Sequence, residues 1–170
     1  MPTGLKATSS TVAIGFSVTE SAPNTFTQTA VDLNLSPLDR EVFVVQSIDL
    51  TLGAPNALAG VDTAAAASIT TTSQTAVADL SNSNCMAVAV NQIVAAGFAD
   101  SGVGFSQTAG ESPSTLLEYV GIIATNDFFA QVVGANNIAG LRLSGKIYGY
   151  RARADASIYS ALVQSEVLSA

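Results

Sequence analysis

The chain has 170 residues, 48% hydrophobic and only 11% charged, with thirteen carboxylates against six lysines and arginines, a net charge of −7 and no histidine. The acidic balance excludes general duplex nucleic-acid binding, which rests on Lys and Arg at phosphates, and the lack of histidine excludes Ser-His-Asp and Cys-His catalysis within the chain. The single cysteine, Cys85, excludes an intrachain disulfide and any metal site built from several Cys or His ligands.

The length and apolar content suffice for one well-buried core, so a single domain over residues 1–170 is expected. The opening MPTGLKATSS has no apolar run behind Lys6, so neither a signal peptide nor an anchor is expected there, and residues 1–10 read as a flexible N-terminal arm. The first element runs from Thr11 to Thr19, where Val12, Ile14, Phe16 and Val18 alternate with smaller or polar residues. Period two marks a strand with one buried face. After Ser21, Ala22, Pro23 and Asn24, a second strand spans Thr25 to Leu35, followed by a turn at Ser36-Pro37-Leu38-Asp39, with Ser36 as cap and Pro37 at the first position. From Glu41 the alternation resumes, with Val42, Val44, Ile48, Leu50 and Leu52 assigned to one face together with Gln46, and Ser47, Asp49 and Thr51 opposite. Gly53-Ala54-Pro55-Asn56 ends that strand.

In the middle, 56–67 reads as a loop containing a tetra-alanine tract, and 68–73 as a short Thr-rich strand. Residues 74–81 fit a short helix, with Ser73 as cap and Val77 and Leu80 at helical spacing. Met86 to Val94 reads as a strand, with an Ala-rich helix as the alternative. Its neighbourhood, Cys85 to Ala99, is the most apolar stretch, but it contains Asn91 and Gln92 and falls short of the roughly 20 residues a spanning helix needs. No membrane span is expected, and Cys85, without a basic neighbour, reads as a small buried hydrophobe. Residues 99–113 are loop-like around a strand at 103–107. Two apolar strands follow, Glu118 to Thr125 and Asp127 to Val133, separated by Asn126 as a tight connection or bulge. After the turn at 134–137 comes a long strand, Leu141 to Ala154, and then a C-terminal helix over 155–169 capped by Asp155, whose apolar stripe is Ile158, Tyr159, Leu162, Val163 and Val167. Eight or nine short strands with a helix only at the end predict an all-β, antiparallel β-sandwich. Long and short loops in alternation favour a jelly roll.

Four of the six basic residues, Arg142, Lys146, Arg151 and Arg153, fall within a dozen positions. Arg142 and Lys146 share a strand face, and Arg151 and Arg153 share the other unless Gly149 inserts a bulge. The bland reading is a solvated strand end. The functional reading is a subunit-contact stripe of Arg142, Lys146, Tyr148, Tyr150, Arg151, Arg153 and Tyr159, since Tyr and Arg are enriched where proteins meet, and a nucleic-acid patch is the third reading. Asp39 and Glu41 around Arg40 read as a solvated turn rather than a catalytic pair. Asp32, Asp49 and Asp62 lack the spacing of a calcium loop. Gly102-Val103-Gly104 lacks the strand–turn–helix context of a dinucleotide fingerprint. A Ser–Lys pair using Lys6 or Lys146 has no motif behind it. No catalytic, cofactor-binding or metal-binding residue is assigned, no cofactor is expected, and the chain is read as a non-enzyme.

The Thr-rich N-terminal strands, the segment Leu35-Ser-Pro-Leu-Asp-Arg-Glu-Val-Phe-Val-Val45 and the closing Gly145-Lys-Ile-Tyr-Gly-Tyr-Arg-Ala-Arg-Ala-Asp155 with its helix resemble single jelly-roll viral capsid (coat) proteins of prokaryotic or marine viruses. The resemblance implies a virion structural protein, made in the host cytoplasm, that self-assembles into pentamers or hexamers of a shell. Its partners would be other copies of itself and other virion proteins. Such a role needs repeated complementary surfaces and no catalytic groups. The chain departs from the pattern in its first ten residues, which hold only Lys6 where many genome-packaging coat proteins carry a basic arm. Strong nucleic-acid binding is therefore not expected. The alternative is a phage fibre, decoration or carbohydrate-binding β-sandwich module, with function in its loops. Four tyrosines and no tryptophan make a thin aromatic platform for sugar.

Overall fold

The computed structural model describes residues 1–109 and 117–170. The strands are β1 (Leu5–Ala7), β2 (Val12–Thr19), β3 (Thr27–Asp32), β4 (Glu41–Leu52), β5 (Thr63–Thr70), β6 (Cys85–Val94), β7 (Val103–Ala109), β8 (Gly121–Ile123), β9 (Asp127–Ala135) and β10 (Arg142–Ala154), and one helix follows, α1 (Ala156–Leu168). They form two antiparallel sheets. The first runs β2–β10–β4–β8, with β1 on the same side of β10 as β2; the second runs β3–β9–β5–β6–β7. With β1 and β7 set aside, the remaining strands in chain order lie first-eighth-third-sixth in one sheet and second-seventh-fourth-fifth in the other. Two interlocked Greek keys give that order, and the fold is a jelly-roll sandwich.

The core between the sheets is filled from the first sheet by Phe43, Val45, Ile48, Leu50, Leu143, Ile147 and Ile123, and from the second by Ala65, Ala67, Ile69, Phe128, Ala130 and Val132. Phe16 and Phe128 meet edge to face with centroids 5.4 Å apart, the arrangement the ring quadrupoles favour. A Cβ at Gly149 would lie 2.6 Å from the Phe43 ring; the glycine lets that ring pack across β10.

Strand β4 departs from its expected alternation. Its register with β10 shifts between Tyr148 and Gly149, which pair with Ser47 and Val45. Gln46 is therefore an extra residue on β4, a bulge that reverses the facing of everything beyond it. Phe43 and Val45 point into the sandwich with Ile48 and Leu50, whereas Val42 and Val44 belong to a second cluster on the opposite face. They do not share a face with Ile48, Leu50 and Leu52. Outside the ladder, the Gln46 amide oxygen accepts a hydrogen bond from Thr11 Oγ1 at 2.9 Å.

Four further expectations are corrected. Residues 1–10 are not a free arm: β1 pairs with β10 from Leu5↔Ala154 to Ala7↔Ala152, and the buried Leu5 joins the second cluster. Where the chain passes from β1 to β2, Ser9 Oγ accepts from the Arg151 amide at 2.9 Å, filling the gap in the ladder. The tetra-alanine tract is not loop but the middle of β5, because Ala65 and Ala67, fully buried, let the facing sheet approach closely. Residues 74–81 form no helix but an irregular loop. Of the strand expected at 118–125, only Gly121–Ile123 pairs, with Val45, Val44 and Phe43 of β4. Pro113, at the end of the loop expected over 99–113, lies outside the described residues.

Candidate subunit interface

The expected contact stripe is divided among three environments by β10 and the layers on either side of it. Leu143 and Ile147 fix the inward face of the strand, so Arg142, Lys146 and Tyr148 project from the outer face of the first sheet. Arg142 and Lys146 are exposed and Tyr148 is half-buried. Across the ladder Lys146 stands opposite Gly15 on β2 and Asp49 on β4. Neither Arg142 nor Lys146 makes an ion pair among the described residues.

Tyr150 and Tyr159 lie elsewhere, in the second apolar cluster with Val42, Val44, Ala152, Ala154, Ile122 and the α1 residues Ile158, Leu162 and Val163. The helix covers this half of the sheet's outer face, and burial raises the Tyr150 phenol above its ordinary value, with Glu118 adding to the shift. Both rings serve the packing of α1 on its own sheet. Asp155 occupies the N-cap position, but its side chain makes no capping hydrogen bond.

Arg151 and Arg153 point to the other side of β10, since the alternation runs through Gly149 and the bulge belongs to β4. Arg151 is a clasp within the chain. Its guanidinium donates to the Leu33 carbonyl at 2.5 Å, to the Asn34 carbonyl at 3.0 Å and to Glu41 Oε2 at 3.1 Å. It thereby ties the β3–β4 connection to the last strand. Arg153 pairs with Asp39 at 3.5 Å, both side chains more than half exposed.

The acidic side of the molecule has a matching asymmetry. Asp32 and Asp127 stand directly opposite one another on β3 and β9. Asp32 Oδ1 accepts from the Asn34 amide and from Asn126 Nδ2, both at 2.7 Å. No cation pairs with either carboxylate among the described residues. Like charges across a ladder are destabilising, so this corner carries an uncompensated negative charge.

Two groups that sequence reasoning did not single out hold the layers together. Gln131 on β9 is fully buried. It accepts from Ser68 Oγ at 2.6 Å and donates to Gln28 Oε1 at 2.9 Å and Thr70 Oγ1 at 2.7 Å. Gln28 in turn accepts the Gln74 amide at 2.8 Å and donates to Ser73 Oγ at 2.8 Å, which pins the 71–84 loop on the outside of the second sheet. The second group is Glu166 on α1, buried against the turn between β8 and β9. The available signals were a lone amide in the apolar run 128–133 and a lone carboxylate in an otherwise uncharged helix. Beside that turn an apolar groove of about 420 Å³ opens between Leu35, Pro37, Asn126, Tyr159 and Val163. Cys85 is half-buried, and desolvation raises its thiol to about 11, in keeping with a packed rather than reactive sulfur.

No family model matches the chain, and no curated protein matches it. Among solved structures it is similar to a chain from Desmodium yellow mottle tymovirus, at 14% identity over 87% of this chain and 91% of that one, with a TM-score of 0.31. The fold assignment rests on the strand order rather than on that superposition. No helix among the described residues is long and apolar enough to cross a membrane.

Proposed function

We propose that the protein is a self-associating structural subunit of the coat type, a virion shell component, whose copies meet through the outer face bearing Arg142, Lys146 and Tyr148. One observation carries this reading: in a chain with thirteen carboxylates, two exposed cations, Arg142 and Lys146, lie on the same face of β10, flanking Ser144, without an ion-pair partner among the described residues. A second copy supplies the complement, because its Asp32–Asp127 corner is acidic and equally uncompensated. Contact between two different patches is head-to-tail, and such contacts close into rings when the rotation between copies allows it and run on as open filaments when it does not. The jelly roll suits the role, being an architecture that capsid domains use, although lectins and cupins use it too. Location in a virion, contact with other virion proteins and a non-enzymatic role belong to the same reading.

The test is light scattering after size exclusion, with negative-stain imaging of the leading peak, on wild type and on Arg142→Glu/Lys146→Glu. Wild type is expected to elute as rings or larger assemblies, and the charge reversal to shift the population toward monomer. Rim charges act through association rate and salt dependence, so assembly should also weaken as salt is raised. A wild type that stays monomeric at all salt concentrations refutes the reading. Unchanged assembly by the double variant removes this face from it.

A further inference from the structure

We propose that α1 is a latch whose docking onto the first sheet tightens in acid, through protonation of Glu166 against the turn at Ala124 and Thr125. The helix has an inverted distribution of polarity. Its sequence, ASIYSALVQSEVL, contains one charged residue, Glu166, and that is its one buried residue, while Val167 and Leu168 at its end are exposed. Exposed carboxylates on a helix are ordinary; a buried one is retained only when something holds it. Here Oε2 accepts the Ala124 amide at 2.9 Å and the Thr125 amide at 3.3 Å, and Oε1 accepts the Thr125 hydroxyl at 2.8 Å. The helix backbone adds one tie, the Glu166 carbonyl accepting from Asn84 Nδ2 at 3.2 Å.

These bonds do not fully replace water. The carboxylate borders a cavity of about 140 Å³ shared with Thr71, Asn84, Cys85, Ile122 and Leu162. The buried Thr71 hydroxyl faces the carboxylate without reaching hydrogen-bond geometry. No lysine or arginine lines the cavity. Its one other titratable lining group is the Cys85 thiol, raised to about 11 with the negative Asp79 contributing; it stays neutral through the acid range. Tyr150 on β10 and Tyr159 on α1 are the phenols packed in the helix–sheet layer, and Asp155 lies exposed at the far end of the helix. Desolvation therefore prevails over the hydrogen bonds and raises the Glu166 carboxyl above the ordinary carboxylate range. A docked state that binds the proton more tightly than the undocked one is favoured most below the ordinary value, and that advantage is lost as pH rises through the docked value. An undocked α1 would fray, since 13 residues are marginal for an isolated helix. Undocking would also bare Val42, Val44, Ala152 and Ala154.

Amide hydrogen exchange along residues 156–168, corrected for intrinsic rate, reads the latch directly. From neutral pH to about pH 4.5, protection of α1 is expected to rise several-fold, with a ceiling of about tenfold per unit by which the carboxyl is displaced. Protection of β5 and β6 should change much less. Glu166→Gln keeps an acceptor for the turn amides and should lose the pH dependence of α1. A variant that retains it overturns the proposal, and so does a uniform change across the whole molecule. Should that variant fold poorly, carbon NMR of the Glu166 carboxyl in wild type decides: a midpoint above the ordinary glutamate value supports the latch, and one at or below it overturns it.

Discussion

Replacing Gln131 with leucine keeps the volume of a fully buried side chain and removes three hydrogen bonds, those from Ser68 Oγ and to Gln28 Oε1 and Thr70 Oγ1. The partners are affected unequally. Thr70 still donates to the Thr72 carbonyl at 2.7 Å, and Gln28 still accepts the Gln74 amide. Ser68, itself fully buried, keeps the Ala78 amide as a donor to its oxygen but loses the acceptor for its own proton. Orphaning a buried donor costs about 1–3 kcal/mol, while a bond whose partner finds compensation costs about 0.5–1. Leucine recovers part of this through apolar burial, leaving an expected net loss of about 2–3 kcal/mol. For a chain of this size that lowers Tm by about 5–10 °C, measurable by circular dichroism melts. Because Gln28 anchors Gln74, proteolysis within 71–84 should accelerate as well. A Gln131→Leu protein that melts within about 1 °C of wild type would refute the idea that this network, rather than apolar contact, sets the second sheet's outer layer.

Arg151→Ala should cost about 2 kcal/mol by urea unfolding, because two backbone carbonyls and Glu41 lose a shared charged donor. Arg153→Ala, which breaks only an exposed pair at 3.5 Å, should fall within about 0.5 kcal/mol of wild type; equal effects would show that the clasp carries no special weight. With its thiol raised to about 11, Cys85 should react with a thiol-specific reagent at pH 8 far more slowly in the folded protein than in urea, and equal rates would contradict its packing.

The parts of the fold visible in the sequence are those where one strand face meets the core and the other meets water. β2 and the first half of β10 are such strands, with Val12–Thr19 and Arg142–Tyr148 alternating cleanly and the limits of both strands falling within a residue of expectation; beyond Gly149 the outer face of β10 lies under α1. β4 is misread because a bulge is invisible in a run where both faces are buried, so Val42 and Val44 before Gln46 look equivalent to Ile48 and Leu50 after it. Residues 74–81 place Val77 and Leu80 at helical spacing, yet the Ala78 amide, which a helix would turn back to the Gln74 carbonyl, is taken by Ser68 Oγ on β5, a choice made by tertiary contact. The alanines of β5 carry little strand preference and declare themselves only against the facing sheet. Of the proposed contact residues, parity alone separates Arg142 and Lys146 from Arg151 and Arg153. What parity could not supply was the acceptor set that Arg151 finds 110 or more residues earlier in the chain.

The pairing of both N-terminal strands with β10 has a consequence for biosynthesis. Leu5 finds its ladder partner at Ala154 and Thr19 at Arg142, so β1 and β2 have no strand to pair with until β10 has been made. β3 needs β9, and β4 needs β8 and β10. Among the described strands only β5, β6 and β7 pair in succession with their neighbours in sequence, and the other edge of β5 still waits for β9. Long-range pairing of this kind slows folding and leaves edges open meanwhile. The nascent chain thus holds a three-stranded seed of β5, β6 and β7, and the sandwich closes around it only once β10 has been made.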